Sequence, residues 1–588
     1  MDFGEFEFYK RKIIIRIKNR ICENSDELIS SKLFLCILKK CIQDLQVRDS
    51  DLLAIFKTKK IDDADIKKLV QTFLYLTKMK RDLVPNVVKG AETFLKDRML
   101  FNDFVEYLYN YWRSFDRFII CSSEEADVEP RPYRIFNETI EQLTHLVRAT
   151  YRDIEENITG AHPNIYRQVR AGAEVASIAT AQEINFPSEV YNKLNVIPMI
   201  RQVLLYPPLI LNPSMNKRTG VFERVYKNPL DGLNIKKKEW VCYPAKVGEL
   251  LILIYFHNIF VELGYSLANL FQLADEADLQ RKPDAVYCFG VPESTVKGLG
   301  KYQTVFFDDE ENGMLSAVVP RGEEFGYFGY LKKMVLTLHN IVMMKKGQMP
   351  FHGALVDVTL KTKRRATVLL IGDSGAGKSE TLEAFREIGD EVIKDINIIA
   401  DDMGSIRMNK KKEAVGIGTE IGAFLRLDDL KPGYAFGQID RAIIMSANKV
   451  NARIIMPITA YERVIKEHKI DFILYANNYE QTDSDHPLIE RITDAQKALD
   501  VFKEGTVMSK GTTTATGLVH SYFANIFGPP QYRELHDKIA RKFFKIFFDK
   551  RIFVGQMRTR LGILGYEQKG PEDAARALLE IINSGTAC

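Results

Sequence analysis

The stretch LLIGDSGAGKSETLEAF, residues 369–385, places a glycine-rich turn between an apolar run and a helical pattern. It contains Gly372-x-x-x-x-Gly377-Lys378-Ser379, a complete phosphate-binding loop (P-loop) signature. The preceding TVLLI predicts a strand and the following SETLEAFREI predicts a helix, which is the context that the motif requires. We therefore predict a nucleotide-binding α/β domain around this loop.

The residue types of the loop suit phosphate chemistry. Glycines let backbone N–H groups turn inward, Lys378 brings a positive charge to the terminal phosphates, and Ser379 can bind magnesium. The helix N-terminus adds a favourable dipole. The predicted cofactor-binding residues are Gly372, Asp373, Ser374, Gly375, Ala376, Gly377, Lys378, Ser379 and Glu380.

A pair of carboxylates follows about twenty residues after the loop. In NIIADDMGS an apolar strand runs directly into Asp401 and Asp402. Adjacent carboxylates at a strand end suit a divalent cation and its water shell. A solvated turn is the alternative, but the position behind a strand and after a P-loop favours a metal site.

Length, charge and cysteine content limit the class of protein. A chain of 588 residues predicts roughly two to four domains. The net charge of +4 is small for this length and gives no electrostatic case for binding nucleic acid. The seven cysteines form no CxxC pair, which argues against a disulfide framework or a zinc knuckle and predicts reduced thiols in the cytoplasm.

Neither a signal peptide nor a membrane span is expected. The first twenty residues begin acidic and contain no long apolar core. The most apolar stretch, VGELLILIYFHNIFVELGYSLANLF from Val247, is interrupted by Glu249, His257 and Glu262. A membrane span would tolerate these poorly, so we predict a buried helix there.

The composition of the chain and the spacing of its apolar residues change twice along the sequence. Residues 1–180 carry apolar residues at helical spacing and predict an all-helical accessory domain, which could contact a protein partner. Residues 181–326 are richer in proline and in short apolar runs such as DAVYCFGV and GMLSAVVP, which predict a mixed α+β domain on the substrate side. Residues 327–588 would form the P-loop catalytic domain.

Several segments together resemble the phosphoenolpyruvate carboxykinase superfamily. YFGYLKK (327–333), FHGALV (351–356) and NARIIMPI (451–458) are similar to the family's Tyr-Gly-Gly-Glu-Met-Lys-Lys, Met-His-Cys-type and Asn-Thr-Arg-x-x-Tyr-Pro-Ile segments. HPLIERITDAQKALDVFKEGTVMSK (486–510) resembles a later family segment. The motifs fall in the family's order, and the resemblance implies a carboxykinase-like P-loop core.

The HPr kinases of the same superfamily supply a second likeness. HGALVDV, GDSGAGKSET and ADD resemble their His-Gly-x-Leu-Val-Asp, P-loop and Ala-Asp-Asp motifs. Over the P-loop this match is better than the carboxykinase one. The tyrosine–lysine and NARIIMPI segments are carboxykinase features, so coverage favours a carboxykinase and local identity favours a kinase.

The carboxykinase resemblance implies decarboxylation of oxaloacetate with phosphoryl transfer, giving phosphoenolpyruvate and carbon dioxide. Manganese would be bound by Lys333, His352 and Asp402, while Ser379 would bind the magnesium of the nucleotide. Lys332 and Arg453 would neutralise charge on the phosphoryl oxygens. By the same resemblance, Asp401 would orient metal-bound water and Tyr327 would lie against the substrate.

Two parts of the family pattern differ in this chain. The substrate-binding Thr-Gly-Arg-Ser-Pro is absent, and NKRTGVFERV offers Arg218 and Arg224 around Thr219–Gly220 instead. The adenine-side segment is reduced to GTTTATG at 511–517, which leaves ATP, GTP and pyrophosphate open as phosphoryl donors.

Two other functions stay open. A kinase acting on a protein serine or a small hydroxyl compound would use Asp401 or Asp402 as general base. A nucleotide-binding regulator without catalysis would use its first 180 residues to contact partners.

Overall fold

The computed structural model describes residues 5–17, 21–58, 60–123, 132–218, 221–427, 430, 437–509 and 517–585. The chain forms two compact units. The first comprises Met1–Gln182 with Pro198–Tyr206, and the second comprises Glu183–Ile197 with Pro207–Cys588. A further division near residue 326 stays a prediction.

The first unit contains a sheet, so the expectation of an all-helical region over residues 1–180 is wrong. Its strands lie in chain order, with antiparallel pairing at the two ends and parallel pairing in the middle. They are β1 (Glu5–Tyr9), β2 (Lys12–Ile17), β3 (Asp116–Ser123), β4 (Val175–Thr180) and β5 (Met199–Leu205).

The sequences of the inner strands explain this correction. KIIIRI at β2 and FIIC within β3 are short runs rich in β-branched and aromatic residues, which favour strands over helices. They are buried and pair in register, with Ile15 opposite Ile119. The sequence prediction missed these short strands because much longer helical patterns lie beside them.

The helices of the first unit share one hydrophobic core with this sheet. The α-helices span Ser25–Ile29, Lys32–Val47, Asp63–Leu76, Glu92–Leu95, Arg98–Arg113 and Pro132–Thr159, and 3₁₀ turns span Asp51–Ile55 and Arg81–Asn86. Asn24 and Ser31 cap the first two helices with side-chain oxygens that accept from backbone N–H groups.

In the second unit, one sheet contains the runs DAVYCFGV and GMLSAVVP, which we predicted as strands, together with strands that we did not predict. Its order is β8-β9-β11-β13-β12-β7, with β10 beside β8. Its strands are β7 (Glu223–Val225), β8 (Trp240–Val247), β9 (Leu250–His257), β10 (Gln272–Leu273), β11 (Ala285–Val291), β12 (Val305–Asp309) and β13 (Met314–Pro320). β6 (Leu209–Leu211) precedes them in the chain but belongs to another sheet.

The segment from Val247 is mainly a strand, not the buried helix that we expected. LLILIYFH forms β9, every residue of which is buried, and only Val261–Ser266 after it is α-helical. Strands that are buried on both faces lack alternation and cannot be distinguished from a buried helix by periodicity.

A second sheet carries the P-loop. Its order is β22-β18-β17-β14-β15-β23-β27-β24, with β16 also paired to β14, and parallel and antiparallel neighbours are mixed. The strands are β14 (Met349–Leu360), β15 (Arg365–Ile371), β16 (Ile393–Ala400), β17 (Met403–Met408), β18 (Ala414–Gly418), β22 (His468–Lys469), β23 (Phe472–Asn477), β24 (Ile489–Arg491) and β27 (Phe553–Arg558).

The remaining strands form two small sheets, β19-β21-β20-β6 and β25-β26. They are β19 (Gly422–Arg426), β20 (Ile443–Met445), β21 (Arg453–Pro457), β25 (Thr506–Ser509) and β26 (Gly517–His520). The mixture of helices and sheets agrees with the predicted α/β class.

Five helices longer than two turns belong to the described part of the second unit. They span Phe328–Lys345, Lys378–Val392, Ala495–Glu504, Arg533–Asp549 and Lys569–Ser584. Shorter helical turns span Glu189–Asn192, Lys193–Val196, Lys237–Glu239, Asn258–Phe260, Leu267–Asn269, Glu276–Leu279, Glu293–Thr295, Glu323–Phe325, Ile439–Arg441, Tyr461–Val464 and Pro529–Tyr532. Within the described ranges, no helix has the length and apolar character needed to cross a membrane.

Candidate functional site

The P-loop has the predicted strand–turn–helix form. β15 ends at Ile371 and the next helix begins at Lys378. Gly375 and Gly377 have φ values of +79° and +98°, which L side chains rarely adopt. At Gly377 a Cβ would also lie 2.7 Å from Thr559 Oγ1, so this turn needs glycine for both conformation and space.

Neighbouring side chains hold the loop in place through its carbonyls. Thr559 Oγ1 donates to Ala376 O at 2.7 Å, and Asn478 Nδ2 donates to Gly375 O at 2.9 Å. Lys378 Nζ donates to Gly372 O at 2.6 Å, which keeps its positive charge inside the loop. The loop is therefore rigidly braced, as an anion cradle made of backbone N–H groups requires.

One cleft brings together most of the predicted site residues. It is open to solvent, and the space within it that a water-sized sphere can reach is about 120 Å³. Its lining includes Tyr327, Lys332, Lys333, His352, Asp373, Ser374, Gly375, Lys378, Ser379, Glu380, Asp401, Asp402 and Arg453. These residues come from five separated segments of the chain.

A charge network centred on Asp402 occupies the floor of the cleft. Lys332 Nζ lies 2.7 Å from Asp402 Oδ2 and 3.1 Å from Glu420 Oε1. His352 Nε2 lies 2.9 Å from Asp402 Oδ1. The side chains of Lys332, His352 and Glu420 are almost wholly buried, whereas that of Asp402 is 23% exposed and therefore reachable from the cleft.

Burial and pairing set the protonation of this network. Burial alone would lower the pKa of Lys332, but Asp402 and Glu420 raise it above its usual value. Burial likewise opposes ionisation of Asp402, yet Lys332 and His352 hold its pKa well below the usual range. Burial, followed by the charge of Asp402, raises the pKa of Asp401. The network thus contains a permanent cation, a permanent carboxylate and a more basic neighbouring carboxyl.

The orientation of His352 bears on metal binding. Its Nδ1 faces the backbone carbonyl of Ala524, which can only accept, so Nδ1 carries the proton. Nε2 and Asp402 Oδ1 are then two acceptors 2.9 Å apart, and they need a proton or a cation between them. A second hydrogen bond that fixes the ring in this way is typical of metal-binding histidines.

Lys333 provides the third predicted metal ligand. Burial, followed by the positive charge of Arg218, lowers its pKa to about 8. Its neutral, lone-pair-bearing form is thus far more accessible than that of an ordinary lysine. In the described part of the chain, no three His, Cys, Asp or Glu side chains converge as a metal centre. The site fits a divalent cation only if this lysine binds as well.

One aromatic ring, that of Phe424, lies beside two of the predicted phosphoryl-binding cations. Arg453 at the start of β21 lies with its guanidinium carbon 5.4 Å from the ring centroid of Phe424, and Lys332 Nζ lies 5.8 Å from the same ring. Tyr327 precedes the helix Phe328–Lys345, with its ring centroid 6.1 Å from that of Phe424. Phe424 thus lies between the predicted phosphoryl-binding arginine and the predicted substrate tyrosine.

The two substrate-side arginines differ in position. Arg218 is close enough to Lys333 to lower its pKa, and its guanidinium carbon lies 4.9 Å from the ring centroid of Phe222. Arg224 does not line the cleft; it pairs with Asp308 and Glu310 and lies over the ring of Tyr532. Thr219–Gly220 and residues 511–516 lie outside the described residues.

Sequence reasoning missed several residues of the site. Glu420 follows β18 and pairs with Lys332, Phe424 lies between the cations, and Phe527 lies 4.8 Å from Lys333 Nζ. An acid within the apolar run VGIGTEIGAF was a usable signal for Glu420. Nothing in the sequence separated Phe424 or Phe527 from ordinary core aromatics.

No protein-family model matches the chain, and no curated protein matches it significantly. The candidate function therefore rests on the residues of the cleft.

Proposed function

We propose that the protein is a phosphoenolpyruvate carboxykinase-like enzyme, which decarboxylates oxaloacetate and phosphorylates the resulting enolate. The phosphoryl donor would be ATP, GTP or pyrophosphate, and manganese and magnesium would be the metals. The observation that carries the proposal is the convergence of Lys332, Lys333, His352 and Asp402 beside the P-loop in one cleft. A nucleotide-binding regulator would have no need of a buried cation and a low-pKa lysine at this place.

The residues that would hold manganese are His352 through Nε2, Asp402 through its carboxylate and Lys333 through its neutral amine. Bound there, the metal would supply Lewis-acid stabilisation of the negative charge that develops on the enolate oxygen. Asp402 is held as a carboxylate, and the contact of His352 Nδ1 with the Ala524 carbonyl turns Nε2 toward that carboxylate. Ser379, at the start of the P-loop helix, would hold the magnesium of a nucleotide.

The chain's own cations would then act on the transferred phosphoryl group. Lys378 would bind the donor phosphates, and Lys332 and Arg453 would neutralise the charge that spreads over the equatorial oxygens. Because Lys332 is paired on two sides, it stays protonated and fixed in position. Arg218, next to Lys333, is the better placed of the two arginines for a dicarboxylate substrate.

A kinase acting on a hydroxyl acceptor is the second candidate. The raised pKa of Asp401 favours it, since a general base for a hydroxyl proton works best when its pKa approaches the working pH. The residues of the P-loop would serve this reaction unchanged. Lys333 and Arg218 would have no evident task in it.

The decisive experiment offers purified protein, Mn²⁺, Mg²⁺ and oxaloacetate together with ATP, GTP or pyrophosphate in separate reactions. We expect phosphoenolpyruvate and carbon dioxide in equal amounts with at least one donor. No product with any of the three would refute the carboxykinase proposal. Transfer of label from γ-labelled ATP to an acceptor without oxaloacetate would instead support the kinase.

The variant His352→Ala tests the metal assignment separately. It should abolish Mn²⁺-dependent turnover and leave nucleotide binding intact, because His352 does not belong to the P-loop. Arg224→Ala is the matched control, since that arginine pairs outside the cleft. Turnover of His352→Ala at the level of Arg224→Ala would contradict the assignment.

A further inference from the structure

An apolar cavity lies within the first unit, between the sheet and its helices. Ile15 on β2 and Ile119 on β3 form part of its floor, and their direct pairing places them on the same face of the sheet. The space open to a water-sized sphere is about 100 Å³. The cavity is more than 150 residues along the chain from the P-loop and shares no residue with the cleft.

Five helices contribute most of the remaining lining. Val105 and Trp112 come from the helix Arg98–Arg113, and Val147 comes from the helix Pro132–Thr159. Val147 is only partly buried, so the cavity approaches the surface near this residue. Each helix directs its apolar stripe inward, as expected of amphipathic helices, but the side chains do not meet at the centre.

Three polar side chains of the lining are hydrogen-bonded within the protein. Arg117 donates through Nε to Gly172 O and through Nη1 to Trp112 O, and it forms an ion pair with Glu174. Trp112 Nε1 donates to Ala171 O, and Thr150 Oγ1 donates to Ser25 Oγ. A ligand in this cavity would therefore meet hydrocarbon surface and find these polar groups already bonded.

Protein interiors are packed about as densely as organic crystals, so an unfilled space of this size is unusual. An apolar cavity stays dry and takes up apolar molecules; an engineered cavity of about 150 Å³ in another protein binds benzene. We propose that this cavity is a binding site for a small neutral apolar molecule, of the size of one aromatic ring or a branched alkyl group.

Trp112 provides a direct signal for the test, because the chain contains only two tryptophans and the other, Trp240, belongs to the second unit. In full-length Trp240→Phe protein, bromobenzene should quench the remaining fluorescence in a saturable manner, since bromine quenches tryptophan on contact. Benzene should compete, and phenol should compete less well because its hydroxyl would lose its hydrogen bonds to water. Phenol competing as well as benzene would overturn the apolar class of ligand.

Filling the cavity is the second part of the test. Val147→Phe should weaken bromobenzene binding by at least about tenfold, whereas Val70→Phe should not, since Val70 packs on the same core but does not line the cavity. If Val147→Phe does not fold, Val105→Leu adds a single methylene to the cavity and should weaken binding to a smaller extent. Quenching that does not saturate, or that is equal in the filled and control variants, would refute the site.

Discussion

Two histidine–aspartate pairs each have one member on strand β14, and their nitrogen–oxygen distances are similar. His352 Nε2 lies 2.9 Å from Asp402 Oδ1, and His468 Nδ1 lies 3.1 Å from Asp357 Oδ2. In each pair the other ring nitrogen faces a backbone carbonyl, that of Ala524 or of Arg463. A buried histidine beside a carboxylate is therefore not enough to identify a metal site.

The surroundings of the two carboxylates make the difference. Asp357 also receives hydrogen bonds from Thr367 and Arg365, is 4% exposed and does not line the cleft. Asp402 is 23% exposed, faces the cleft and has Lys333 nearby as a possible third ligand. Asp357 is fully hydrogen-bonded within the protein, whereas Asp402 is open toward solvent. Of the two carboxylates, Asp402 is therefore the one available to bind a cation.

The largest effect is expected when the cation is removed from each cluster. Lys332→Met would leave the buried Glu420 and the partly exposed Asp402 without their shared cation, which should cost about 3–5 kcal/mol of unfolding free energy. Arg365→Met removes the cation beside Asp357, but that side chain is 59% exposed, so the cost should stay under about 1 kcal/mol. Urea unfolding measures both.

The double variant Lys332→Met/Glu420→Gln shows whether the cost comes from stranded charge. It should be more stable than Lys332→Met alone, because one of the two unpaired carboxylates is gone. Equal losses in Lys332→Met and Arg365→Met would mean that the two clusters do not differ in the way that their burial implies.

The next largest effect is expected on the stabilisation by Mn²⁺, which should depend on His352 and not on His468. At a Mn²⁺ concentration of 100 times the dissociation constant, binding should add about 2.7 kcal/mol of stability. His352→Gln should abolish this increment, whereas His468→Gln should keep it although its own stability is lower. The measurement is the unfolding free energy with and without Mn²⁺. An increment that survives in His352→Gln would remove the basis for distinguishing the two pairs.

A smaller effect follows from the ionisation of Asp357. Burial opposes its charge, but hydrogen bonds from His468, Thr367 and Arg365 lower its pKa from 3.8 to about 2. Because the folded pKa is depressed, the ionised carboxylate contributes about 2 kcal/mol above pH 4, and this is lost as the pH falls through 2. The stability difference between wild type and Asp357→Asn should therefore shrink between pH 5 and pH 2. A constant difference would contradict this.

The contrast between the pairs also explains what the sequence could predict. The P-loop signature occupies eight consecutive residues, 372–379, with an apolar run directly before it and a helical pattern directly after it, so the strand, turn and helix could be predicted from the sequence alone. His352 was predicted from a resemblance and Asp402 from the carboxylate pair that follows an apolar strand. Glu420 was not predicted, because its partner Lys332 is 88 positions away and an isolated acid carries no spacing signal. β9 was missed because a strand that is buried on both faces lacks the two-residue alternation of apolar and polar residues. The strands of the first unit were missed because they are short and lie beside long helical patterns.

The smallest effect concerns the P-loop, where local sequence is decisive. Gly377 and Gly347 both have positive φ, but a Cβ at Gly377 would contact Thr559, whereas nothing lies within 4 Å at Gly347. Gly347→Ala isolates the backbone strain, and Gly377→Ala should cost about 1 kcal/mol more because Thr559 must move away from Ala376 O. Adding Thr559→Ala should remove most of that excess. Equal costs for the two glycines would show that the loop needs Gly377 for its conformation alone.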